Sequence, residues 1–88
     1  MKAIWKFHIR VTDNQEIEMP VNAKILCVQM QGGEPFIWAE VDTDAPILKR
    51  KIKVFGTGHP MPDEQMEYIG TFQMINGRVV LHAYADHL

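Results

Sequence analysis

From Ala3 to Val11 the chain alternates, with Trp5, Phe7, Ile9 and Val11 apolar and Lys6, His8 and Arg10 basic or polar between them. Side chains of a strand point to opposite faces in turn, so this period of two specifies a half-buried strand and excludes an amphipathic helix, whose apolar positions recur every three or four residues. Only Ile4 breaks the pattern. Gln15 to Met19 gives a short second strand closed by Pro20, and Lys24 to Gln31 a third closed by Gly32-Gly33, a hairpin signal into the next run.

That next run, Pro35 to Asp42, places Ile37, Ala39 and Val41 on one face and Phe36, Trp38, Glu40 and Asp42 on the other. Lys49 to Phe55 alternates again, with Arg50, Ile52 and Val54 opposite Lys49, Lys51 and Lys53. Gly56 to Glu64 carries two prolines and reads as an ordered loop with a helical turn after Pro62. Tyr68 to Ile75 and Arg78 to Asp86 flank Asn76-Gly77, the strongest hairpin signal in the chain. No repeat, linker or long amphipathic helix interrupts this series. The class is therefore all-β: a small sandwich or barrel of six to seven mostly antiparallel strands, with residues 1–88 as a single globular β domain.

A domain of 88 residues buries only about 60–65% of the surface its unfolded chain exposes, so association of copies is expected to add stability. With 9 basic and 11 acidic residues, the chain lacks the bulk positive charge of a nucleic-acid binder, and nucleic acid is not an expected partner. The lone Cys27 excludes an internal disulfide and a paired-cysteine zinc framework, which suits a reducing compartment. Charges interrupt the apolar residues of the N-terminal segment Met1 to Lys6, so neither a secretory leader nor a membrane span is expected and the reading is cytoplasmic.

Three features invite a functional reading. In Gly56-Thr57-Gly58-His59, two glycines permit a sharp turn that presents amides to an anion, Thr57 adds a hydroxyl, and His59 donates or accepts near neutral pH. These four residues are the candidate site for a phosphorylated small molecule, although the segment matches neither a Walker loop nor a dinucleotide fingerprint. The alternative is a strand-ending turn whose Thr and His satisfy local hydrogen bonds. Second, if Ile37, Val79, Leu81, Ala83 and Ala85 face the core, Phe36, Trp38, Val80, His82 and Tyr84 share the opposite face, and Phe36, Trp38, His82 and Tyr84 are the candidate surface for a protein partner or a second copy. Third, Lys49, Lys51 and Lys53 form one basic row and Lys6, His8 and Arg10 another, suited either to a polyanion or to solvated faces balanced by Glu16, Glu18, Glu40 and Asp42.

His8, His59, His82 and His87 have no metal-ligand spacing, so neither a metal nor another cofactor is expected. The chain has no serine, and Cys27 falls in an apolar strand where a buried thiol is inert. His59 with Asp63 and Glu64 is the one place for an acid/base pair. The expectation is no catalytic residue and no enzyme.

Ile4-Trp5-Lys6-Phe7, Ile17-Glu18-Met19-Pro20, Ile37-Trp38-Ala39, Val41-Asp42, Gly56-Thr57-Gly58-His59-Pro60-Met61 and Tyr68-Ile69-Gly70-Thr71-Phe72-Gln73-Met74 together resemble a family of small uncharacterised proteins of tailed bacteriophages, prophages and their bacterial hosts. The resemblance covers nearly the whole chain. It implies a phage or prophage product acting inside a bacterium. The leading expectation is a non-enzymatic, homo-oligomeric binding protein that contacts a protein partner through Trp38, in a host-takeover or anti-defence role. One alternative is a protein that sequesters a nucleotide-derived signal at His59. Another is a structural component of a phage assembly.

Overall fold

The computed structural model describes residues 1–86, which form seven strands: β1 (Lys2–His8), β2 (Gln15–Pro20), β3 (Lys24–Gln31), β4 (Glu34–Asp42), β5 (Ile47–Gly56), β6 (Met66–Met74) and β7 (Val79–Asp86). They pair into a three-stranded sheet, β1-β4-β3, and a four-stranded sheet, β2-β5-β7-β6, every pairing antiparallel. The two sheets stack as an open sandwich rather than a barrel. Among the described residues no helix is long and apolar enough to cross a membrane.

The core follows the period of two. Ile37 on β4 and Val28 on β3 meet Ile52 and Val54 on β5, Phe72 on β6, and Leu81, Ala83 and Ala85 on β7. A second cluster joins Met19, Ala23, Ala39 and Val41, with Phe7, Ile17 and Ile25 packed against it. Burying each large aliphatic side chain contributes about 2 kcal/mol. On one side of the sandwich β3 and β6 come close together, and a Cβ added at Gly70 would lie 2.9 Å from Cγ1 of Val28.

The hairpins obey turn chemistry. Gly32 (φ 59°) and Gly33 (φ 81°) link β3 to β4 with positive φ at both positions, as a primed two-residue turn requires. Asn76 (φ 53°) and Gly77 (φ 81°) do the same between β6 and β7, where the Arg78 amide donates to the Ile75 carbonyl at 3.0 Å. Ile75 precedes them at φ 53° and is exposed, a conformation that costs a β-branched residue about 1–2 kcal/mol. Ile75→Asn is expected to raise stability by about 1 kcal/mol, read as a higher urea midpoint at unchanged slope.

Three local expectations are corrected. The first strand ends at His8, so Ile9 reaches the core from the following turn, where its amide donates to the Pro35 carbonyl at 3.2 Å, while Val11 is exposed. The Gln15 side chain closes that turn by accepting from the Arg10 amide and donating to the Arg10 carbonyl. Cys27 is half-buried, not buried, because a bulge between Ile25 and Cys27 shifts the register and sets Cys27 opposite Trp38.

The third correction concerns residues 57–65. β5 and β6 both run antiparallel to β7, which lies between them, so they are parallel to each other. Their connection must return along the length of the sheet, and Pro60 and Pro62 keep it extended. No helical turn follows Pro62. We call this segment the strap; it crosses the outer face of the four-stranded sheet.

Candidate functional site

The strap begins with a turn in which the His59 amide donates to the Gly56 carbonyl at 3.1 Å and Gly58 sits at φ 85°. That geometry fits a type II turn, with glycine where positive φ is needed. The Thr57 amide donates to the Val80 carbonyl at 3.3 Å. Two of the amides that an anion would need are therefore committed within the fold. The missing side chain at Gly56 makes a seat for the His59 ring, since a Cβ there would come within 2.9 Å of two imidazole atoms.

Below the turn runs a line of side-chain hydrogen bonds on the outer face of the sheet. Thr57 Oγ1 lies 2.7 Å from His82 Nε2, Thr71 Oγ1 lies 2.9 Å from His82 Nδ1, and the Tyr68 hydroxyl lies 2.5 Å from Thr71 Oγ1. A neutral imidazole donates from one nitrogen and accepts at the other. One assignment satisfies the whole line: Thr57 donates to the Val80 carbonyl, neutral His82 donates from Nε2 to Thr57 and accepts at Nδ1 from Thr71, and Thr71 accepts from Tyr68. Tyr84 stacks edge-on between Phe55 (5.8 Å) and Tyr68 (5.4 Å). His82 and Tyr84 thus support the root of the strap.

Phe36 and Trp38 lie elsewhere, on β4, with outward faces on the three-stranded sheet. The expected single face of Phe36, Trp38, His82 and Tyr84 is therefore two surfaces on opposite sides of the sandwich, because β4 and β7 belong to different sheets. Lys6 roofs the first pair, its Nζ 4.7 Å from the Phe36 centroid and 5.8 Å from that of Trp38, while donating to Gln31 Oε1 at 2.5 Å. His8 packs edge-on against Phe36 at 5.3 Å and meets Glu34 at 2.6 Å. Because Trp38 is partly buried, Trp38→Ala is expected to lower stability by about 2 kcal/mol, measured as a shifted denaturant midpoint.

A cleft of about 460 Å³ opens between strap and sheet, lined by Asp13 and Asn14 from the turn after β1, Lys53 and Phe55 from β5, and His59, Pro60 and Pro62 from the strap. A second hollow, lined by Asn14, Gln15, Glu16, Lys51 and Lys53, continues it along β5. Lys53 pairs closely with Glu64, which ties the far end of the strap to the sheet and offsets the lysine charge. Glu64 is thereby engaged with Lys53, while the carboxylate that shares the cleft lining with His59 is that of Asp13. Of the four loop residues singled out by sequence, His59 lines the cleft, Gly56 seats its ring, Thr57 faces His82, and Gly58 shapes the turn. Sequence reasoning missed Asp13, Asn14, Phe55, Pro60 and Pro62 as lining; only the prolines carried a signal.

The basic rows have local partners. Lys51 and Lys49 stand opposite Glu16 and Glu18 in register, and Lys2 bridges Glu40 at 3.2 Å. Arg10 lies beyond the end of β1, out of line with Lys6 and His8. His8, His59 and His82 occupy three separate environments, and His87 lies outside the described residues.

Residues 1–87 match the model of a protein family described as Domain of unknown function (DUF7352). The chain belongs to that family. No curated protein and no solved structure matches it. The family description assigns no activity, so the chemistry open to the DUF7352 domain rests on the side chains of the cleft.

Proposed function

We propose that the domain is a non-enzymatic binding protein of phage or prophage origin, acting in the bacterial cytoplasm, and that the cleft beneath the strap is its recognition site. The observation that carries this reading is the lining. Phe55, Pro60 and Pro62 offer apolar contact, the His59 ring adds a polar flat surface, and Asp13 and Asn14 offer an acceptor and an amide side by side. The lining mixes these three apolar residues with four polar or charged ones, so a ring with hydrogen-bonding edges meets both kinds of contact there. A nucleobase is a ring of that kind.

Charge selects within this class. Glu64 offsets Lys53, the Asp13 carboxylate in the lining repels a phosphate, and the amides of Thr57 and His59 are spent, so the cleft favours an uncharged nucleoside over its phosphates. Division of the aromatic set between two sheets removes the main support for a partner surface centred on Trp38. Sequestration of a nucleoside-type signal then replaces protein contact as the leading role, with host takeover or anti-defence as its context.

Calorimetric titration with adenosine, guanosine, cytidine and uridine, each beside its 5′-monophosphate, tests the reading. One nucleoside is expected to bind saturably, more tightly than its monophosphate, without turnover. His59→Ala and Asn14→Ala are each expected to weaken that binding about 10-fold. Absence of binding across the panel, or affinity unchanged by both substitutions, contradicts it.

A further inference from the structure

β1 is an edge of the three-stranded sheet and β2 an edge of the four-stranded one. Because β3 and β6 approach each other on the opposite side, the free edges of β1 and β2 border one open seam of the sandwich. β1 runs into the turn of residues 9–14 and β2 runs back from it, so the two edges are antiparallel. Facing inward along the seam are Trp5 and Phe7 on β1 and Ile17 on β2; Trp5 remains 38% exposed despite pointing inward. Facing outward are Lys2, Ile4, Lys6 and His8 on β1, with Lys2 and His8 also bridging Glu40 and Glu34 of β4, but Glu16 and Glu18 on β2.

One free edge is therefore basic and the other acidic, and both leave backbone donors and acceptors unpaired along an apolar lining. We propose that a second copy of this chain closes the seam about a two-fold axis parallel to the strands, β1 of each copy pairing antiparallel with β2 of the other. The operation continues the three-stranded sheet of one copy into the four-stranded sheet of the next. It sets lysines against glutamates on the outside and covers Trp5 on the inside. The alternative two-fold, β1 against β1, sets lysines against lysines and is disfavoured. Because each contact occurs twice, the interface is isologous and the assembly stops at two.

The test is sedimentation equilibrium on the full chain and two charge variants, Lys2→Glu/Lys6→Glu and Glu16→Lys/Glu18→Lys. Wild type is expected to be a dimer. Each variant alone is expected to dissociate with a Kd raised about 100-fold or more. An equimolar mixture of the two variants is expected to dimerise again, because both seams of the mixed pair then join opposite charges. A monomeric wild type, variants that remain dimeric, or a mixture that stays monomeric overturns the proposal. Should a variant fail to fold by circular dichroism, amide exchange on wild type decides: β1 and β2 amides must lose protection on dilution, and uniform protection at all concentrations overturns it.

Discussion

Asp86→Ala is expected to destabilise the domain by about 3 kcal/mol, although Asp86 lies at the end of β7 and is partly solvated. Its partner is Arg50, whose side chain is 6% exposed on the inner side of β5. Arg50 Nε donates to Asp86 Oδ1 at 3.2 Å, and its two terminal nitrogens donate to the Asp86 and Ala23 carbonyls at 3.0 and 3.2 Å. The Asp86 carboxylate also accepts from the Lys51 amide at 3.2 Å. Guanidinium does not shed its proton, so removal of the carboxylate leaves a buried cation without its counter-charge, a defect that costs about 3–5 kcal/mol. In a domain of this size 3 kcal/mol lowers the melting temperature by roughly 15 °C. Replacing both partners, Arg50→Met with Asp86→Ala, should recover much of the loss, because two apolar side chains need no compensation. Thermal melts of the two variants check this; a single variant within about 0.5 kcal/mol of wild type contradicts the role given to the pair.

Gly70→Ala is expected to cost about 2 kcal/mol through overpacking where β3 and β6 meet. The added methyl would stand 2.9 Å from Val28 Cγ1 and 3.6 Å from the Val28 amide nitrogen. Val28 is buried in the main core and has a stiff β-branched side chain, so it has little room to turn away. Val28→Ala removes the obstructing methyl. The double variant is therefore expected to be more stable than the sum of the single losses by about 1 kcal/mol, measured in a double-mutant cycle by urea unfolding. Strict additivity would mean that the sheets separate at Gly70 instead of pressing on Val28.

The parts of this fold that are legible in sequence are those set by near neighbours. Alternation places Arg50 with Ile52 and Val54 and sends Phe36, Trp38, His82 and Tyr84 outward, and all of this holds. Gly32-Gly33 and Asn76-Gly77 mark their hairpins because positive φ is a property of a few residues. Which sheet a strand joins is decided by pairing across long separations, for which no local signal exists. That is why four outward residues read as one surface divide between two. The strap has the same origin: Pro60 and Pro62 show that the segment is not helical, but its path follows from β7 inserting between β5 and β6. Asp13 and Asn14 read as ordinary turn residues until that path brings His59 towards them. Arg50 betrays its inward direction by parity, yet Asp86, its partner, lies 36 residues away.

The central claim, that the cleft beneath the strap is where the domain recognises its ligand, is tested most directly by amide NMR. A 15N-labelled sample is titrated with the nucleoside that binds most tightly. Saturable shifts are expected to concentrate at Asp13, Asn14, Lys53, Phe55 and His59, leaving the amides around Phe36 and Trp38 unmoved. Shifts centred on Phe36 and Trp38, or no saturable shift with any nucleoside, would contradict the account.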